Sequence, residues 1–96
     1  MAAAKGKRPW IRILINNRKV RVQEVRVRPG HIGPMLARPN RVQYILKGGK
    51  QRLHYPNGKT KVQTLKSGTV LWRGKEKFAG ENIGKTEIRW IGVRLK

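Results

Sequence analysis

At 96 residues the chain has room for one domain with one modest core, of a size that buries roughly two-thirds of its unfolded surface. Twenty-four Lys and Arg against four Glu and no Asp give a net charge of +20, far beyond the ~2–8 that suffices for solubility in a small domain; such charge opposes compaction and attracts polyanions. The absence of Cys excludes a disulfide framework, a thiolate metal site and a Cys nucleophile, and no apolar run is long enough for a signal peptide or a membrane span, so an intracellular protein is expected.

Residues 1–9 carry Lys5, Lys7 and Arg8 among small residues and read as a flexible basic arm that orders on nucleic acid. Residues 10–96 read as the folded domain. Trp10 to Asn16 forms a strand with Ile11, Ile13 and Ile15 on one face and Arg12 on the other. After a turn at Asn16-Asn17, Lys19 to Arg28 forms a long strand whose apolar parity switches from Val20 and Val22 to Val25 and Val27. Side chains alternate with a period of two, so the switch predicts a β-bulge near Gln23-Glu24. Pro29-Gly30 ends the strand, and His31 to Asn40 holds too many Gly and Pro residues for a regular element.

Arg41 to Trp72 then reads as four short strands in an antiparallel meander. Val42, Tyr44 and Leu46 alternate with polar positions, and Gly48-Gly49 offers the positive φ of a tight hairpin turn. Pro56-Asn57-Gly58 closes a second hairpin and Ser67-Gly68 a third. Arg73 to Gly80 is expected as a loop and Glu81 to Thr86 as a turn. Glu87 to Leu95 is the last strand, apolar on both sides and so either covered on both faces or bulged at Gly92. Seven or eight strands and no helix indicate an all-β barrel or sandwich.

The order of these segments resembles a known family. VRVQEVRVRPG, RVQYILKGG, YPNGKTKVQTLKSGTVLWR and ENIGKTEIRWIGVRLK are similar to the small single-domain cupins, over roughly Ile13 to Lys96. The resemblance implies an antiparallel β-barrel of the double-stranded β-helix, jelly-roll type. It also implies a divalent metal held by a His-x-His pair, a carboxylate and a later His. At those positions this chain has Leu36 and Arg38, then Val42 or Gln43, then Phe78. None is a ligand for a hard cation or for zinc, so neither metal nor other cofactor is expected, and the family's pocket is expected to be closed.

Catalytic constellations are sparse. His31 and His54 have no patterned companion, and Glu24, Glu76, Glu81 and Glu87 read as local ion-pair partners of basic neighbours. No enzymatic activity and no small-molecule substrate are therefore expected. The cations are spread along the chain: Arg12; Arg18, Lys19 and Arg21 around the first turn; Lys47, Lys50 and Arg52 around Gly48-Gly49; Lys59 and Lys61; Arg73, Lys75 and Lys77. Trp10 and Tyr55 are candidates for base stacking, whereas Trp72 and Phe78 read as core. This pattern favours a structural protein wrapped into folded RNA, such as ribosomal RNA beside neighbouring ribosomal proteins, over one lying on a single duplex. Competing readings are non-specific DNA binding, an engineered supercharged barrel, and a metal-free barrel that clamps a small acidic ligand with Arg38.

Overall fold

The computed structural model describes residues 9–96, and among these the chain is all β. The strands are β1 (Trp10–Asn16), β2 (Val20–Val27), β3 (Leu36–Arg38), β4 (Arg41–Lys47), β5 (Gly49–His54), β6 (Thr60–Leu65), β7 (Val70–Arg73), β8 (Glu76–Asn82) and β9 (Ile88–Leu95). They form a five-stranded sheet in the order β1-β2-β9-β4-β7 and a four-stranded sheet in the order β3-β8-β5-β6. All pairings are antiparallel. From β3 onwards the chain passes back and forth between the sheets, which is the double-stranded β-helix that the resemblance implies. The basic arm, with Lys5, Lys7 and Arg8, lies outside the described residues.

Two turns follow their local chemistry. Gly58 and Gly68 take positive φ (83° each) after Pro56-Asn57 and Ser67, and Asn57 Oδ1 accepts from Lys59 N at 3.0 Å. Gly48-Gly49 does not behave as expected. It has no positive φ, and β4 pairs with β7 and β9 rather than with β5. The meander is therefore split, with β4 and β7 in one sheet and the β5–β6 hairpin in the other. Gly48 is needed for a different reason: a Cβ there would sit 2.0 Å from the carbonyl oxygen of Leu65, where the chain crosses between sheets.

The segment 31–40, read as a loop, contains β3, and the segment 73–80 contains most of β8. Pairing across the gap creates both: Leu36 lies opposite Phe78 and Arg38 opposite Glu76. The predicted bulge in β2 is absent, since β2 pairs with β9 without a shift from Val20↔Leu95 to Val27↔Ile88. The irregularities fall in β1, between Ile13 and Ile15, and in β4, between Ile45 and Lys47. Regular pairing from Arg21 to Val27 puts Val25 and Val27 inside while Val20 and Val22 face outwards.

Ile45, Leu65 and Ile88 form the centre of the core, with Leu71 and Trp90 packed against them. Burial of each such side chain contributes about 1.5–3 kcal/mol relative to exposure. The outer face of the large sheet carries an apolar row instead. Ile15, Val22, Val93, Val42 and Trp72 follow one another in cross-strand register, and Trp72, expected in the core, is 61% exposed. Phe78 is buried as expected.

Candidate anion site

Antiparallel register aligns side chains two residues apart into rows on the inner face, spaced by roughly 6.6–6.8 Å. One row is Arg21, Arg94, Arg41 and Arg73, directly opposite one another across β2, β9, β4 and β7. The next is Gln23, Gly92, Gln43 and Leu71. The third is Val25, Trp90 and Ile45. Apart from Leu71 and Ile45, which belong to the core, these rows line a cavity of about 320 Å³ bounded on its other side by Leu36, Arg38, Phe78 and Gly80. The expectation of a closed pocket was incorrect.

Four guanidiniums in consecutive register would be unfavourable without counter-charge, because like charges opposite one another destabilise a sheet. One carboxylate supplies part of it. Glu76 Oε2 accepts from Arg41 Nη2 at 3.0 Å and from Arg73 Nη2 and Nε at 3.2 and 3.3 Å. Arg41 also donates to the carbonyl oxygens of Pro39 and Gly74 at 3.1 and 3.2 Å. Arg21 and Arg94 take part in no ion pair among the described residues.

Arg38 projects from β3 towards the same row, its guanidinium 4.7 Å from the Phe78 ring centroid, and donates to the carbonyl oxygens of Pro34 and Phe78 at 3.2 and 3.4 Å. Burial first, and then Arg94 and Arg41, lower its pKa to about 10, with Glu76 acting in the opposite sense. Burial followed by Arg21 lowers Arg94, and burial lowers Arg41 despite its bond to Glu76. At neutral pH all three remain protonated, so the folded protein carries the full cost of holding them together. Arg21 Nε, Arg38 Nε, Gln23 Oε1 and Gln43 Oε1 are buried without hydrogen-bond partners among the described residues.

The positions that the resemblance assigns to metal ligands converge on this cavity. Leu36, Arg38 and Phe78 line it, and of Val42 and Gln43 it is Gln43 that does. Guanidinium, amide and hydrocarbon do not suit a divalent cation, and among the described residues no group of three His, Cys, Asp or Glu could hold one. A wall built from two β-sheets, with these positions brought to one cavity, matches solved structures closely. A cupin domain from Bordetella pertussis Tohama I is similar with a TM-score of 0.86, over 96% of this chain and 97% of that one, at 22% identity. The chain has the cupin fold. An RmlC-like cupin family protein from Methanocaldococcus jannaschii is similar over 94% of this chain and 82% of its own, with a TM-score of 0.69 and 17% identity. A predicted oxalate decarboxylase from Thermotoga maritima gives 0.64 over 88% and 77%, at 22% identity. No protein-family model and no curated protein matches the sequence. Cupin-fold neighbours thus include a protein described as an enzyme, and the fold itself is compatible with catalysis. No helix among the described residues is long and apolar enough to cross a membrane.

The residues predicted to bind nucleic acid are divided by the cupin barrel. Arg21 and Arg73 belong to the inner row, and Arg41 and Arg94, which sequence reasoning missed, lie between them. Arg18, Lys19, Lys47, Lys50, Lys59, Lys61, Lys75 and Lys77 are exposed, while Arg52 and Tyr55 are half-buried. Trp10 is 46% exposed at the sheet edge, with the Arg26 guanidinium 4.7 Å from its ring centroid. His54 is held by Glu81 at 2.8 Å. A signal for the inner row was present in the sequence: Arg-Val-Gln occurs at 21–23 and again at 41–43, and β2 and β4 place the two copies on either side of β9.

Glu24 is the counter-charge of the outer face. Its Oε2 accepts from Arg89 Nη2 at 3.0 Å and Arg26 Nε at 3.1 Å, with Arg12 3.8 Å from Oε1. The bond from Arg89 first, and then that from Arg26, lowers its pKa below 4.5. A carboxylate with a depressed folded pKa stabilises above its unfolded pKa of about 4.3 and loses that contribution as pH falls through the folded value. Glu24→Gln should therefore lower the urea midpoint at pH 7, and the gap from wild type should narrow as the pH falls below about 4.3 and through the lower folded value. A gap that is constant with pH would show that the charge does not matter.

Proposed function

We propose that the chain binds a small, multiply charged oxyanion inside the cupin barrel, with Arg21, Arg38 and Arg94 as its principal contacts. The observation that carries this reading is the guanidinium row: with Arg38 it presents five arginines to the cavity region, against the single carboxylate of Glu76. Guanidiniums bind oxyanions bidentately, and the half-buried positions of Arg21, Arg38 and Arg94 make each contact stronger than it would be in water. The lining supports binding rather than chemistry, since among the described residues it contains no His, Ser, Thr, Cys, Asp or Glu to act as base or nucleophile.

Thermal unfolding tests the reading. At constant ionic strength set with chloride, phosphate or citrate at about a hundred times its Kd should stabilise the protein by roughly 2.7 kcal/mol. Equal melting temperatures in chloride, phosphate and citrate would refute it.

A second reading is favoured by the exposed lysines, none of which takes part in an ion pair among the described residues. They would neutralise phosphates of a structured RNA with counterion release. If about 6–10 phosphates are engaged, affinity should drop by roughly 10³–10⁵ between 50 and 200 mM salt. Binding to structured RNA that is no tighter than to duplex DNA at equal salt would count against RNA as the partner.

A further inference from the structure

We infer that Gln23 and Gln43 select, among oxyanions, those whose body carries a hydroxyl one strand step from the charged head. The inference rests on the anion reading above and adds the chemistry of the rest of the ligand.

The two glutamines come from the two Arg-Val-Gln copies, so each stands one inward position beyond an arginine, Arg21 or Arg41. Both are more than nine-tenths buried, with 7% and 8% of their surface exposed. Between them on β9 lies Gly92, where the nearest side-chain atoms to the place of a Cβ are Trp90 Nε1 and Cδ1 at 3.6 and 3.7 Å and Gln23 Cγ at 4.0 Å. Among the described residues neither Gln23 Oε1 nor Gln43 Oε1 has a donor. This is not a general property of glutamines in this barrel, because Gln51, equally buried, accepts from Gln63 Nε2 at 2.8 Å.

A buried acceptor without a donor is costly, and a group that satisfies it on binding gains accordingly. The last torsion of a glutamine is soft, and a half-turn brings either end of the amide to the cavity side. The group required is therefore one that can both donate and accept, which a hydroxyl does and a methylene does not. Its distance from the head is set by the strand. Arginine and glutamine rows lie roughly 7 Å apart, and the following row, Val25 and Trp90, is hydrocarbon and indole. The ligand is thus a hydroxylated phosphate monoester or a hydroxylated carboxylate, with its polar groups ending at the amide row.

Matched ligand pairs test this on the full chain by calorimetry. Ribose 5-phosphate is compared with tetrahydrofurfuryl phosphate, which has the same ester and ring size without hydroxyls, and glucarate with adipate. The hydroxylated member of at least one pair should bind wild type at least about tenfold tighter, the size expected for one or two neutral hydrogen bonds; the pair that discriminates identifies the head. Gln23→Leu and Gln43→Leu should bring that ratio towards one and leave the affinity of the hydroxyl-free member within about twofold. Wild type binding both members of each pair equally would overturn the selection by glutamine and leave the anion site standing. Wild type binding none of the four, nor inorganic phosphate, would remove both. Should either variant fail to fold, the wild-type ratios alone decide.

Discussion

Replacing Arg94 by glutamine is expected to raise the melting temperature of the anion-free protein while weakening oxyanion binding about a hundredfold. The two effects have one cause. Arg94 lies directly between Arg21 and Arg41 in the inner row, and burial together with Arg21 lowers its pKa. Unlike Arg41 and Arg73, it has no carboxylate. Each like-charge neighbour costs about 0.2–1 kcal/mol across a sheet, so removing the central member should recover on the order of 1 kcal/mol, or about 4–8 °C for a domain of this size. A bound anion reverses the sign, because the same charge then has a counter-charge in a desolvated place. Loss of one partner from such a pair costs about 2–5 kcal/mol. Differential scanning calorimetry and titration on the same samples read both quantities. A lower melting temperature with unchanged affinity would mean that Arg94 is a structural residue and the row is not a binding device.

That expectation also explains why the site was hidden from sequence reasoning. The alternation rule assumes that the inside of a sheet is apolar, and in this barrel half of the inner face is not. Val20 and Val22 on β2, Val42 and Tyr44 on β4, and Ile91 and Val93 on β9 alternate as core residues do, yet they cover the outer face. Arg21, Gln23, Arg41, Gln43 and Arg94 alternate as surface residues do, yet they line the cavity. The bulge expected at Gln23-Glu24 came from the same assumption. The change in apolar parity along β2 is real, but it records the passage from a polar to an apolar part of one cavity wall. No backbone irregularity is needed.

Local chemistry was legible where it is strong. The bounds of β1, the turns at Gly58 and Gly68, and the ends of the last strand follow from alternation and turn residues alone. Sheet assignment was not legible, because a strand's partner depends on crossing geometry rather than on its own residues. Gly48 illustrates this: its requirement for glycine comes from the Leu65 carbonyl oxygen, seventeen residues further along the chain. The resemblance, by contrast, brought Leu36, Arg38, Val42 or Gln43, and Phe78 to one place without any geometry. It located the cavity while its expectation of a closed interior failed. Part of the charge that seemed to belong wholly to the surface is turned inwards, and a reading built on surface cations alone leaves that part unexplained.

Asn82→Ala should have the largest effect on stability of any single substitution considered, about 3–6 kcal/mol from three backbone groups left without their partner, one hydrogen bond being buried and two half-buried. Asn82 is 1% exposed. Its Nδ2 donates to the carbonyl oxygens of Val27 and Thr86, each at 2.8 Å, and its Oδ1 accepts from Gly84 N at 2.9 Å. One side chain thus ties the end of β8 to the end of β2 and shapes the connection into β9. Against a total stability of about 5–15 kcal/mol for an ordinary domain, and in a chain already burdened by +20 charge, the loss brings the protein near its unfolding threshold. The guanidinium row lies towards the other end of the wall, while Val27 lines the far part of the same cavity. Val27 is six residues from Arg21 along β2, roughly 20 Å, so the variant, where folded at low temperature, should retain its oxyanion affinity within about twofold. Urea unfolding with and without phosphate separates the two. A midpoint close to that of wild type would show that the hydrogen bonds of Asn82 do not hold the barrel end. A midpoint that falls together with affinity would show that the two ends of the wall are coupled, and that the guanidinium row depends on Asn82 for its register.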